Sequence, residues 1–439
     1  MNSPFAVVGA TILTGDREGT SLPDQTVVVD DGGTISAVGS RADIAVPAGY
    51  RRIDATGRFL TPGLINAHAH LFADGKPLPS ILTSEGAEKA VAVFMHGPLG
   101  RPLLDARTKK NVVTQLHSGV TTIRSLGDAR YEVVRARDKI DAGRYLGPRL
   151  LPSGPLLAVS GGHGAPQIAL LSDDPWAARR NVRINLRKGV SAIKIAATGG
   201  VTDARTIGEA GRPQMTEEEM TAICEEAHNA GVVVAAHAQS AEGIAACLRA
   251  GVDTIEHGAG MTDEIIGLFK DNPRSLHGSS ALVPTLQACL PLVKLDRSVT
   301  GVDEIVKANA EMILDEMLHG IADALANDIT IGMGTDSALT YVTHYNTWRE
   351  LDFLTRHGGM TPAHVLHAAT QGNARILGIP QTTGTIAAGL SADMVLLDAD
   401  PLAGFRAFDR PVLVSARGVL IENPSVRRFP AIDALLDEL

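Results

Sequence analysis

The stretch LINAHAHLF, residues 64–72, decides how this chain is read. It has the character of a short apolar β-strand running from Leu64 to Leu71. Side chains along a strand alternate between two faces. His68 and His70 therefore share one face, and Ala67 and Ala69 point the other way. Two imidazoles side by side suit a single metal ion, because neutral imidazole is a common ligand for zinc and its neighbours. A His-x-His pair also arises by chance on a strand, so its meaning depends on what lies downstream.

Outward from that strand, residues 62–379 alternate between apolar strand-like runs and helical stretches. The runs are Leu64–Leu71, Gly119–Leu126, Arg149–Gly154, Val190–Ala196, Val232–His237, Asp253–His257, Ala281–Leu286 and Thr330–Thr335. Between them, TEEEMTAICEEAHNAG predicts a helix with Thr216 as N-cap, Glu219 completing a capping box and Gly231 just past the end. AEGIAACLRAG and GVDEIVKANAEMILDEMLHGIADALAND read the same way. Strand–helix units in series predict an α/β fold of the (β/α)8 TIM-like barrel type. The connection from Asp74 to Arg107, including PLLDARTKK, is long for a strand-to-helix loop and is the candidate lid.

Both chain ends have a different texture. AVVGATILTG, TVVVDDGGTISAVGS and RRIDATGRFL are β-branched segments broken by glycine and aspartate, and DDGG marks a hairpin. TGTIAAGLSADMVLLDAD and PVLVSARGVLIEN repeat that pattern near the other end. The expectation is a small discontinuous β-sandwich domain, 1–61 together with 380–439, around a barrel domain at 62–379.

Composition narrows the class. With 439 residues, the chain is too long for one small core, and a barrel plus a satellite fits. A net charge of −9 argues against a nucleic-acid partner, which calls for a basic face. No apolar run approaches the ~20 residues that cross a bilayer, and the first residues lack a secretory pattern. Cys224, Cys247 and Cys289 are scattered and odd in number, as expected of buried free thiols in a reducing compartment. A cytoplasmic protein acting on a small molecule, without membrane attachment, is the expectation. Symmetric self-association is the default for such a chain.

Barrel chemistry sits at the carboxyl ends of the strands. Reading those ends gives His68 and His70, then Lys194 within VSAIKIAATGG, His237, His257 and Asp336. Four histidines and an aspartate are a metal-site inventory, and with no cysteine among them an open catalytic site fits better than a closed structural one. Lys194 is anomalous, because an unpaired ammonium in an apolar strand is costly. Arg124 and His344 also lie near strand ends; each has a substrate-contacting reading and a structural one. Trp176 and Trp348 read as packing residues.

His68-Ala69-His70, Lys194, His237, His257 and Asp336, in that order, resemble the amidohydrolase superfamily. TPGLINAHAH and TGTIAAGLSADMVLLD extend the likeness over nearly the whole chain. Within the superfamily the chain is similar to prolidase-like dipeptidases related to imidazolonepropionase, through SGGHGAPQ, KIAATGGV, GVDTIEHG and HYNTWRELDFLTRHGGMTP. The resemblance implies two divalent ions, zinc by default. His68 and His70 would hold one and His237 and His257 the other. Lys194, carboxylated by CO2, would bridge them. Asp336 would be a ligand and general base, His163 would contact substrate, and a hydroxide bridging the metals would cleave an amide. A dipeptide such as Xaa-Pro or an N-acyl amino acid is the implied substrate class. Ala165 and Ser125 replace aspartates that the family often carries, which leaves the metal centre untouched and the substrate open.

Two other readings stay open. One is a mononuclear deaminase or cyclic-amide hydrolase of the imidazolonepropionase type, using His68, His70, His237 and Asp336 with an ordinary amine at Lys194. The other is a non-catalytic barrel kept as a scaffold.

Overall fold

The structure is a computed structural model that describes residues 3–77, 93, 97–165 and 167–439. Strands β1 (Phe5–Leu13), β2 (Ser21–Val29), β3 (Ile35–Ser40), β4 (Arg51–Asp54) and β5 (Phe59–Pro62) open the chain. Next come β6 (Leu64–Ala69), β7 (Val120–Ser125), β8 (Arg149–Pro152), β9 (Leu156–Ala158) and β10 (Ala169–Leu171). They are followed by β11 (Ala192–Ala196), β12 (Val233–Ala238), β13 (Thr254–His257) and β14 (Ala281–Val283). Near the other end lie β15 (Met394–Leu397), β16 (Leu413–Ala416) and β17 (Val419–Glu422).

Strands from both chain ends share one sheet, in the order β17-β16-β15-β5-β1-β2-β3, with β4 beside β1. The junction is the antiparallel pairing of β15 with β5, Met394 opposite Pro62 and Leu397 opposite Phe59. The DDGG hairpin forms as read, with β2 antiparallel to β3. The sheet curls, since Ile35 N donates to Leu390 O at 2.9 Å and Thr34 bridges Ser391. The expected sandwich thus takes the form of one curled sheet around Phe5, Val7, Ile12, Val29, Leu60, Met394 and Leu396.

The middle of the chain is parallel. β6, β7 and β8 form one three-stranded arc, and β10-β9-β11-β12-β13-β14 form another. Their residues are buried nearly throughout, which is why they read as continuous apolar runs rather than alternating ones. β9 and β10 are short additions that the sequence reading did not contain. Ser191 N donates to Pro152 O at 2.7 Å, linking the end of β8 to the approach to β11. Residues 330–337 link the other two edges: Ile331 bridges Leu282, and Ser337 bridges Ala69. They do not form the regular strand expected from Thr330 to Thr335. Side-chain amides replace part of the ladder there. Asn373 Oδ1 accepts from Met333 N at 3.2 Å, and its Nδ2 donates to Ile65 O at 2.6 Å.

The helices carry their sequence signals. Glu217–His228 has Thr216 as N-cap with the full capping box. Ala241–Ala250 and Glu304–Ala326 also form. PLLDARTKK is not loop but the first half of a helix, Gly100–His117. Pro102 is compatible with it because a first-turn N–H has no helical partner to lose. Most of the lid candidate, residues 78–92 and 94–96, lies outside the described residues. Among the described residues no helix is long and apolar enough to cross a membrane. The three cysteines are free and buried.

Candidate metal centre

Four histidines meet at the carboxyl ends of the parallel strands. His68 ends its approach inside β6, and His70 lies one residue beyond it. Ring centroids are 5.6 Å apart for His68 and His70, 5.4 Å for His68 and His257, and 4.6 Å for His237 and His257. Each ring commits one nitrogen to a partner behind it. His68 Nδ1 lies 2.8 Å from Glu256 Oε2, and His70 Nδ1 lies 3.1 Å from Gly127 O. His237 Nε2 is 3.2 Å from Gly199 O, and His257 Nδ1 is 2.7 Å from Thr285 Oγ1. A carbonyl or an ionised carboxylate only accepts, so His68, His70 and His237 donate at those nitrogens. In the neutral ring the other nitrogen then carries a lone pair, and those of His68 and His70 face Asp336. Burial, the largest influence, holds the pKa of His237 and of His257 well below the usual histidine range, which keeps both in the neutral, ligand-competent form.

Asp336 Oδ1 lies 3.2 Å from His68 Nε2 and 3.1 Å from His70 Nε2. Three lone-pair atoms therefore converge, and among the described residues this Oδ1 finds no hydrogen-bond donor. Lys194 Nζ, buried in the middle of β11, has no hydrogen-bond partner among the described residues either. Burial lowers its pKa to about 8, against the opposing pull of Glu256 and Asp336. Ligand atoms of His68, His257 and Asp336 lie within 4.8 Å of one another, close enough to hold one metal ion. Orphaned buried atoms beside inward lone pairs are what a divalent cation would satisfy.

The backbone is bent to make this happen. His257 has φ +72°, Thr285 +92° and Asp336 +54°. These are left-handed values that cost non-glycine residues energy and cluster at functional sites. At His257 the turn breaks strand alternation, so Glu256 and His257 both reach His68.

His163 stacks on His237, with ring centroids 4.2 Å apart. Its Nδ1 is 2.6 Å from Asp203 Oδ2, which also accepts from Gly164 N at 3.0 Å. Burial lowers the His163 pKa, but the charge of Asp203 outweighs it and the net shift is upward. Gly200 makes room: a Cβ there would stand 2.3 Å from His163 Nδ1. Asp203 and Glu256 are functional candidates that the sequence reading missed. Glu256 carried a signal, since a carboxylate in the buried run DTIEHG is as anomalous as Lys194. Asp203 carried none.

Other candidates resolve differently. Arg124 is fully buried and turned away from any substrate, donating to Glu256 Oε1 at 2.8 Å and to Ala67 O at 2.6 Å. His344 neither faces water nor lines the cluster: it sits between Gln115 Nε2 at 3.1 Å and Ala73 O at 2.7 Å. Trp348 is packed as expected, but Trp176 is 80% exposed at the start of helix Pro175–Arg187 and packs nothing.

The model of the amidohydrolase family matches residues 59–420. The chain belongs to the amidohydrolase family. This amidohydrolase superposes on the crystal structure of a Bifidobacterium longum protein provisionally assigned as a prolidase, with TM-score 0.88, 48% identity, and 100% and 99% of the two chains covered. A prolidase complexed with N-methylphosphonate-L-proline gives TM-score 0.81 at 27% identity, covering 96% of this chain and all of the other. Ochratoxinase from Aspergillus niger is 27% identical over 96% of this chain and 87% of its own length. Membership brings the general activity of the family, hydrolysis of amide-type bonds, and its barrel-plus-sandwich architecture.

Proposed function

We propose that this amidohydrolase cleaves the amide bond of a small acylated amino acid or dipeptide, Xaa-Pro among them, at a centre of two divalent ions. The observation that carries the reading is the approach of His68 Nε2 and His70 Nε2 to Asp336 Oδ1, with a His257 nitrogen in the same compact group, the His237 ring 4.6 Å from that of His257, and an unpartnered buried Lys194 Nζ. The prolidase neighbours support the substrate class. We also read β6, β7, β8, β11, β12, β13, β14 and residues 330–337 as a closed eight-stranded barrel over 62–379, with β9 and β10 as additions to it. Residues 1–61 with 380–439 form the second domain.

His68, His70 and Asp336 would hold one ion, His237 and His257 the other, with Lys194 between them; zinc is the default for such donors. Bound there, divalent ions supply Lewis acidity towards the scissile carbonyl and acidify water. Lys194 suits carboxylation, because CO2 reacts with the neutral amine, and an amine titrating near 8 is partly neutral at cellular pH. The ammonium gives up one proton to become the amine, which adds to CO2 and loses a second, so a stranded cation becomes an anion. Asp336 takes the proton of the attacking water and delivers it to the leaving nitrogen, so that water and amide become acid and amine. His163, whose pKa the Asp203 carboxylate raises, would face the developing negative oxygen.

Asp336→Asn should keep its metals and lose about 10²–10⁴-fold in kcat on an Xaa-Pro and N-acyl amino acid panel. Near-wild-type turnover would remove Asp336 from proton transfer. One observation favours a single ion: His68, His257 and Asp336 form a compact three-donor group by themselves. Elemental analysis of protein purified without chelator separates the readings, two ions per chain against one. Metals bound with no turnover on the whole panel would instead favour a scaffold.

A further inference from the structure

Glu256 belongs to none of the roles above, yet both of its oxygens are engaged at the centre. Its Oε1 accepts from Arg124 Nη2 at 2.8 Å and from Thr254 Oγ1 at 2.6 Å. Its Oε2 faces His68 Nδ1 at 2.8 Å. Arg124 is itself anchored, through Nε to Ala67 O at 2.6 Å and Nη1 to Thr254 Oγ1 at 3.1 Å. All four side chains are buried. The rings of His70 and His237 back onto carbonyl oxygens and that of His257 onto a hydroxyl. His68 backs onto a charge.

We propose that Glu256, clamped by Arg124, is a positioning residue that fixes the Nδ1–H tautomer of His68 and presents its Nε2 towards Asp336. The inference rests on His68 being a metal ligand. An ionised carboxylate cannot donate, so the proton must sit on Nδ1, and Nε2 is left free towards Asp336. A charged partner also draws that proton towards itself and raises electron density at Nε2. The ion held by His68, His70 and Asp336 is then the tighter of the two. Arg124 acts one step back, holding the Glu256 carboxylate in place through Nη2 to Oε1 at 2.8 Å and giving the buried carboxylate a charged partner.

The test uses metal-free protein titrated with Zn²⁺ against a competing chelator, with circular dichroism and thermal melting alongside. Glu256→Gln strands the Arg124 charge and risks the fold. The neutral pair Arg124→Gln/Glu256→Gln removes both charges together, and Glu256→Asp keeps Arg124 paired while withdrawing the carboxylate from His68. A folded double variant and a folded Glu256→Asp should each lose 10–100-fold in affinity at the tighter step and little at the weaker one. Wild-type affinity at both steps in a folded variant overturns the role of Glu256. So does loss of fold in all three variants, which would make it a structural residue. A wild-type protein that takes up no Zn²⁺ would sink the metal centre itself, a result distinguishable from either.

Discussion

At the scale of single residues, the contact of Asp203 with His163 sets a pH dependence. Asp203 Oδ2 at 2.6 Å lifts the His163 pKa above its ordinary value, against burial, which acts to lower it. The stability this gives His163 is fully present below the ordinary histidine pKa and is lost as pH rises through the raised one. Burial raises the Asp203 pKa, but His163 outweighs it and holds that carboxyl well below the usual range, so its share is lost only as pH falls through the depressed value. Asp203→Asn should therefore move the alkaline limb of kcat/KM to lower pH, because His163 would shed its proton sooner. An alkaline limb that stays put would show that free enzyme does not need a charged His163. Residue types at strand ends were legible because each broke a local rule: histidines in an alanine-rich strand, a lysine in an apolar one. Asp203 broke no rule. It lies in a polar loop forty positions from its partner, and a pair brought together by folding alone leaves no trace in either neighbourhood.

At the scale of elements, the packing of residues 330–337 against β6 depends on glycine. A Cβ on Gly334 would stand 2.5 Å from His68 Cβ and 2.8 Å from Val283 Cγ1. Gly334→Ala must push β6 or β14 aside, at about 1–3 kcal/mol of stability. We expect a lower melting temperature and weakened metal uptake together, measured by calorimetry and elemental analysis. Unchanged metal content would mean that β14 yields rather than His68. By contrast Thr216→Ala removes the cap of Glu217–His228, far from the chemistry. It should cost about 1 kcal/mol in denaturant unfolding and leave kcat intact. Helices were legible to within a few residues because caps and glycines are local signals. The helix Gly100–His117 was not, since its charged first half has no apolar stripe to mark it. The irregular 330–337 segment was missed for another reason. Part of its hydrogen bonding goes to the side chains of Asn373 and Asn66, which sequence periodicity does not report.

At the scale of the molecule, the two chain ends hold one sheet together. β5 leads straight into β6 and the His68 strand, and β15 is its antiparallel neighbour. A chain stopped after Ile379 would leave Phe5, Ile12 and Leu60 without Met394 and Leu396 against them. Each such side chain is worth about 1.5–3 kcal/mol of burial. That truncation should be insoluble or molten by near-ultraviolet circular dichroism. A stable, metal-binding fragment would show that 1–379 folds without the strands of 380–439. The shared sheet was legible from texture at both ends, although its curl was not, because curvature comes from backbone bridges such as Thr34 to Ser391. A helix at Pro430–Leu436 lies far along the sequence yet close to the chemistry. Ile432 and Leu436 pack on Tyr341 and Leu295, Tyr345 Oη accepts from Phe429 N at 2.8 Å, and Arg349 Nη1 donates to Leu436 O at 2.8 Å. Tyr341 and Tyr345 belong to the segment that leaves Asp336. During translation, residues 429–437 are still inside the ribosomal tunnel when His68, His237 and Asp336 have already emerged. The wall behind the aspartate is thus mortared late, and a chain cut after residue 428 should take up added Zn²⁺ more weakly in a chelator competition than the chain that carries Pro430–Leu436.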